Sequence, residues 1–335
     1  MKIARLYIIS IISFLILIFG RYPIQSFFDQ FREYSHVSIS SVALAENGLR
    51  IILEKEKYGY KKSISAAIIS EIPPMKFLDK HYFEFFLGQN STAIELKKVV
   101  SFKNYFDYLT VFTVPYSDMF FYYDYVGDTV ECYIFKPGKN KNQLIEKIST
   151  VDKFFGIISP NNETIYYFSD NALFRFNITG NEKEMFPRAA YDFFKKSWSK
   201  RLGVTSVKNL VYRLEDDGSY YLHDLYFNKD VDRFKIPDYY RVLDVEYSKD
   251  DTAIILAESG NEFCLLNSKG NNPKCLDLRS KLPNMISWAW DKVNNEIYFV
   301  TFNNNQDVIS TGVIDLLVWN YPSDNLSEKK LKLNW

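Results

Sequence analysis

The sequence predicts an all-β fold built radially from repeated hairpins, and three observations carry that prediction. A polar turn between two apolar strands recurs with Ser159, Thr205, Ser248 and Asp291 at equivalent positions, 46, 43 and 43 residues apart. Apolar or small residues precede each turn at fixed offsets: Ile158, Val204, Tyr247 and Trp290 one before, Gly156, Leu202, Val245 and Trp288 three before. Apolar runs follow each turn, Ile165-Tyr166-Tyr167, Val211-Tyr212, Ile254-Ile255-Leu256 and Ile297-Tyr298-Phe299. A period of roughly 40–50 residues is the length of one four-stranded propeller blade. Hairpins spaced in this way cover their apolar faces by standing side by side around an axis, so the expected architecture is a β-propeller.

Each element follows from its pattern. The residues before the turn form the innermost strand of a blade. The unalternating run after it suits a second strand covered on both faces. Alternation returns in a third strand, with Phe174 and Phe176, Tyr220 and Leu222, then Phe263 and Leu265 on one face. Read backwards, Ser117 fits the same ruler through Val114, Tyr116, Cys132 and Ile134, Asp79 fits through Leu78, Phe85, Phe86, Ile94 and Leu96, and Ala45 through Val42, Leu44, Ile51 and Ile52. The expectation is seven four-stranded blades over residues 37–335, with Val37-Ser38-Ile39-Ser40 pairing with the last blade to close the ring and leave no free edge. Between the fourth and fifth units, Ala190, Tyr191, Phe194 and Trp198 share one helical face, which predicts an inserted surface helix over 187–202 capped by Gly203.

The N-terminus has a different character. Lys2 and Arg5 precede the apolar run Leu6 to Phe19, and Gly20-Arg21-Tyr22-Pro23 ends it. A charged start with an apolar core is an export or insertion signal. The run is short of the roughly 20 residues of a span, yet with Ile3 and the flanks it reaches the lower limit of about 17. With no small-x-small site close behind, residues 1–22 are expected to be an uncleaved signal anchor, a single transmembrane helix, and 23–36 a juxtamembrane linker. Lys2 and Arg5 place the anchor's start in the cytoplasm and the remaining chain outside, periplasmic or extracellular. A removed signal peptide is the alternative.

Composition narrows the function classes. Lys and Arg together number 41, as do Asp and Glu, so the net charge of zero gives no reason to expect a nucleic-acid partner. The 17% aromatic content suits strands without further explanation. Three cysteines occur, and Cys264 and Cys275 flank one polar turn, where they are either a disulfide across the hairpin or two unrelated strand residues. No catalytic, cofactor-binding or metal motif emerges: there is no Gly-x-Ser-x-Gly, no His-Glu-x-x-His and no phosphate-binding glycine loop. His223 stands beside Asp224 on a strand, where neighbours point to opposite faces, and reads as a structural histidine. Trp288, Trp290, Tyr239 and Tyr240 lie near the ends of inner strands and are the candidate binding residues.

The stretch from Ile158-Ser159-Pro160-Asn161-Asn162-Glu163-Thr164-Ile165-Tyr166-Tyr167 to Ala172-Leu173-Phe174-Arg175-Phe176-Asn177-Ile178-Thr179-Gly180 resembles the repeat of WD40-like and TolB-like β-propellers. Those repeats read as a Ser-Pro-Asp-Gly turn, a strand, then an aromatic strand ending in Asp-x-x-Thr-Gly. The match is looser at Tyr247-Ser248-Lys249-Asp250-Asp251, and no blade shows the full Gly-His to Trp-Asp signature. The resemblance implies a fold and leaves function open, because propellers host scaffolds and several enzyme classes. The expectation is a membrane-anchored binding module that presents loops to a protein partner. A glycan-acting propeller enzyme and a protective protein paired with a toxin are the alternatives.

Overall fold

The computed structural model describes residues 33–46, 48–59, 76–88, 96–103, 111–126, 129–136, 143–149, 157–197, 202–237, 239–247, 253–268, 273–282, 286–304 and 311–334. They form six antiparallel four-stranded sheets, each a meander of strands consecutive in the chain. Blade 1 holds β1 (Glu33–Ala45), β2 (Gly48–Gly59), β3 (Lys76–Gly88) and β4 (Lys97–Lys103). Blade 2 holds β5 (Val111–Thr113), β6 (Phe120–Val126), β7 (Thr129–Phe135) and β8 (Gln143–Ser149). Blade 3 runs through β9 (Ile157–Ile158), β10 (Thr164–Ser169), β11 (Ala172–Asn177) and β12 (Glu182–Met185). Helix α1 (Arg188–Ser197) leads to blade 4, made of β13 (Leu202–Val204), β14 (Leu210–Leu214), β15 (Ser219–Asp224) and β16 (Lys229–Lys235). Blade 5 holds β17 (Arg241–Tyr247), β18 (Ala253–Ser259), β19 (Glu262–Asn267) and β20 (Lys274–Asp277). Blade 6 holds β21 (Ser287–Asp291), β22 (Glu296–Asn304), β23 (Thr311–Asn320) and β24 (Asn325–Asn334).

The propeller therefore has six blades, where the ruler predicts seven. The difference lies in blade 1, whose first three strands run 13, 12 and 13 residues. Ala45 does end an innermost strand, but Asp79 falls inside β3, opposite Lys57 of β2, so Phe85 and Phe86 continue that strand and open no new unit. One long-stranded blade carries enough apolar alternation to imitate two ordinary ones.

Apolar cores fill the seams between blades, which explains the runs without alternation. In β10, Ile165 and Tyr167 pack toward blade 2 with Val114, Phe121 and Cys132. Tyr166 and Phe168, one residue out of phase, pack toward α1 and blade 4 with Val204 and Val211. The other seams are filled in the same way: Ile52 and Tyr82 against Val111 and Phe120, Leu222 against Val245 and Ile255, and Leu256 and Phe263 against Phe299 and Trp319. At the last seam Val37, Val42 and Leu49 of blade 1 meet Ala289, Val300 and Ile314 of blade 6. The ring closes there by side-chain packing. β1 pairs with β2 in its own sheet, and the last blade completes itself with four consecutive strands, so the expected pairing of Val37 to Ser40 with that blade does not occur.

The turn positions hold because their side chains fold the turns. Ser159 Oγ accepts a hydrogen bond from Thr164 N at 3.0 Å, Thr205 Oγ1 accepts one from Val207 N at 3.1 Å, and Asp291 Oδ1 accepts from Val293 N and Asn294 N at 3.0 Å each. Each of these turns also needs a left-handed residue, supplied by Asn162, Asn209 and Asn295 with φ of 60°, 66° and 57°. The hairpin between β10 and β11 uses Asp170-Asn171, both at positive φ, a two-residue turn whose twist matches the strands it joins.

Helix α1 packs between blades 3 and 4 through Ala190, Tyr191 and Phe194, with Tyr191 and Phe194 edge-on to Phe168 at 5.1 and 5.6 Å. Trp198 lies outside the described residues, and Gly203 stands within β13 instead of capping the helix. The expected anchor over 1–22 also lies outside them. Glu33 to His36, placed by the sequence in a linker, are the first residues of β1. Among the described residues no helix is long and apolar enough to cross a membrane.

Candidate functional site

The innermost strands and the turns that follow them converge on one pocket of about 170 Å³, to which every blade contributes. Blade 1 supplies Val42, Ala43 and Leu44, blade 2 Pro115 and Tyr116, and blade 3 Pro160, Asn161 and Glu163. Ser206 comes from blade 4, Asp244 from blade 5, and Trp288, Trp290, Lys292 and Val293 from blade 6. The walls are mainly apolar, and the charged groups are few.

Asp244 is the buried centre of those charges, 1% exposed. It follows a β-bulge in β17, where the register shifts between Val242 and Asp244, and such a bulge re-aims a side chain. Its Oδ1 accepts hydrogen bonds from Ser206 N at 2.8 Å and Val245 N at 2.7 Å, and its Oδ2 from Ser206 Oγ at 2.6 Å. Lys292 Nζ stands 3.6 Å from Oδ2, so one carboxylate ties blades 4, 5 and 6 together. Burial pushes the Asp244 carboxyl up from its ordinary range, against the pull of Lys292 and the Ser206 bonds. The Lys292 ammonium also lies 4.8 Å from the centroid of the Trp290 ring, in cation–π contact.

Glu163 is the second carboxylate of the lining. Its Oε2 accepts from Asn161 Nδ2 at 2.9 Å, and burial pushes its carboxyl up too, with only partial relief from Lys292. Glu246, two residues after Asp244 in β17, is raised by burial in the same way. Tyr116 stands half exposed at the mouth with φ of 51°, its N–H donating to Leu44 O at 3.1 Å across the seam of blades 1 and 2. Burial, then the charges of Asp291 and Glu163, raise its phenol. Two lining carboxylates thus face one lining ammonium.

Of the candidate binding residues, the structure brings Trp288 and Trp290 into this pocket and leaves Tyr239 and Tyr240 out of it. Tyr240 donates to Glu262 Oε2 at 2.5 Å in blade 5, where burial and that carboxylate push its phenol up to about 12, and Tyr239 is 70% exposed beside it. Cys264 and Cys275 are register partners of β19 and β20 with Cα atoms 4.1 Å apart, and they form a disulfide. His223 sets Nδ1 2.8 Å from Asp230 and stacks on Phe193 of α1 at 3.6 Å, fastening the helix to blade 4. Glu215-Asp216-Asp217-Gly218 forms the hairpin turn between β14 and β15, with Asp217 Oδ1 accepting from Ser219 N.

Tyr116, Glu163, Asp244 and Lys292 were not singled out as site residues by sequence reasoning, although the repeat marks Lys292. Pro160, Ser206 and Lys292 all stand one residue after a turn anchor, and all three line the pocket. Their common offset was the available signal.

These features define a class, a six-bladed β-propeller with a mixed apolar and acidic pocket on its axis. No family model and no curated protein matches the sequence. Similar solved structures include Kluyveromyces lactis Hsv2 with complete loop 6CD, at 11% identity and a TM-score of 0.37, covering 89% of this chain and 99% of that one. Another is KlHsv2 with loop 6CD replaced by a Gly-Ser linker, at 12% identity and a TM-score of 0.39 with the same coverage. Likeness of that degree says nothing of what this chain binds.

Proposed function

We propose that the chain is a membrane-anchored, extracytoplasmic binding module that uses the axial pocket and its rim to engage a protein partner, without chemistry of its own. The observation that carries this reading is the convergence of all six blades on a single pocket walled by Trp288 and Trp290. Ligand sites are concave and mostly apolar with a few placed polar groups, and this pocket has that character. The Leu6 to Phe19 run supports the anchor, and kinship with WD40-like or TolB-like repeats belongs to the same proposal.

The test uses the full chain in its source membrane. Carbonate washing should leave it in the pellet, and deletion of residues 1–22 should release it. Cross-linking and purification should recover one partner, lost with Trp288→Ala and kept with Tyr226→Ser, an exposed residue outside the pocket lining. Capture indifferent to Trp288→Ala contradicts the reading.

A second reading is favoured by one feature, the meeting of Glu163, Asp244 and Lys292, with both carboxyls pushed up, in one pocket. Raised carboxyls in a cleft are candidate general acids, which suits a glycan-acting enzyme. Turnover across a glycan panel that Glu163→Gln abolishes would establish it, and its absence leaves the binding module.

A further inference from the structure

We propose that the axial pocket takes a small organic cation, a protonated amine on a short apolar stem, which pairs with Glu163 beside the Asp244–Lys292 pair. The inference rests on the axial pocket being the binding site and adds the chemistry of what enters it.

Asp244 is matched by Lys292 at 3.6 Å and by three hydrogen bonds. Asp291, next to the pocket, is consumed by its own turn through Val293 N, Asn294 N and Asn294 Nδ2. Glu163 has less of both: Lys292 acts on it only from beyond ion-pair distance. It holds one hydrogen bond, from a neutral amide, and no ion pair among the described residues. A charge drawn partly out of water costs free energy until it is paired, and Glu163 is half-buried, so the counterpart that fits this position is a cation. An anionic ligand would add repulsion, and a neutral one would leave Glu163 as it stands.

The walls point the same way. Trp288, Trp290 and Tyr116 present aromatic surface around the carboxylates, and ring faces attract ammonium groups. The chain already displays this pairing, since the Lys292 ammonium lies 4.8 Å from the Trp290 ring centroid. Size sets the limit: about 170 Å³ is below the roughly 300–1,000 Å³ of sites that enclose drug-sized ligands, leaving room for one short stem. The amine is either a free metabolite or the lysine side chain of a protein partner.

The test follows the indole signals of Trp288 and Trp290 by NMR on the full chain in detergent. Three probes are titrated: butylammonium chloride, 1-butanol as its neutral counterpart, and Nα-acetyl-lysine-N-methylamide. Butylammonium should shift both signals saturably at concentrations about tenfold or more below those butanol requires. Glu163→Gln should bring the two probes to parity. The blocked lysine binding more tightly than butylammonium identifies a protein-borne amine, and the reverse order a free one. Butanol equalling butylammonium, or the preference surviving Glu163→Gln, overturns the cation assignment while the pocket remains a binding site. Silent indoles with every probe also overturn it. Partner capture that Trp288→Ala does not affect is the separate result that removes the binding reading itself.

Discussion

Asp244 Oδ2 and Lys292 Nζ face each other at 3.6 Å across the seam of blades 5 and 6 in the pocket lining, the carboxylate buried and the lysine side chain 22% exposed. An ion pair with one buried partner is weak evidence of net stability, but removing the carboxylate is costly because the donors that it satisfies lose their acceptor. Asp244→Ala strands Lys292 together with Ser206 N and Oγ, which donate to the same carboxylate. The expected loss is about 1–3 kcal/mol, read as a lowered denaturant midpoint. Asp244→Asn keeps the shape and an acceptor oxygen for Ser206, and should lose less.

Blade 1 holds a pH-sensitive group. Burial, then a hydrogen bond with Glu56, pushes the Glu54 carboxyl from 4.5 up to about 7, although Lys80 Nζ stands 2.5 Å away. A carboxyl raised on folding binds its proton more tightly in the native state, so stability falls as pH rises between the two values. Urea midpoints measured between pH 4.5 and pH 7 should decline with pH in the native chain. Glu54→Gln should flatten that part of the slope; an unchanged slope assigns it to another group.

Gly203 serves close approach. A Cβ there would stand 2.1 Å from Tyr212 Cζ, and Tyr212 is held by its hydroxyl, which donates to Val242 O at 3.2 Å. Gly203→Ala should cost roughly 1–3 kcal/mol through overpacking. The partner variant Gly203→Ala/Tyr212→Leu should cost less than the sum of the two single changes, because the clash is gone. Strict additivity would place the cost elsewhere.

The disulfide of Cys264 and Cys275 closes a short loop, 11 residues apart in sequence, and Cys132 is buried and takes part in no disulfide. Thiol labelling of the denatured, unreduced chain should modify one cysteine, and all three after reduction. Replacing the pair by serine should cost about 2–3 kcal/mol by the loop-closure argument. Three labelled thiols before reduction would contradict the bridge.

Local chemistry was legible where it repeats. Ser159, Thr205 and Asp291 mark turns because their oxygens fold them, and the apolar runs of β10, β18 and β22 lie between two seams because both faces are covered. Blade number was not legible, since Asp79 with Phe85 and Phe86 satisfies the ruler from inside one long strand. Ring closure escaped for a related reason: the strand at Val37 is complete within its own sheet, and only side chains cross to blade 6. Trp288 and Trp290 were found as aromatics at strand ends. Asp244 was missed because a bulge, which no period announces, turns it toward the axis.

Six blades close into a ring by packing the first against the last. Methyl NOE spectroscopy on the full chain tests that closure directly. Cross-peaks are predicted between the methyls of Val37 or Val42 in β1 and those of Ala289 or Val300 in blade 6, which share one apolar cluster. Their complete absence, with cross-peaks intact between Val114 and Ile165 across the seam of blades 2 and 3, would contradict closure and remove the axial pocket with it.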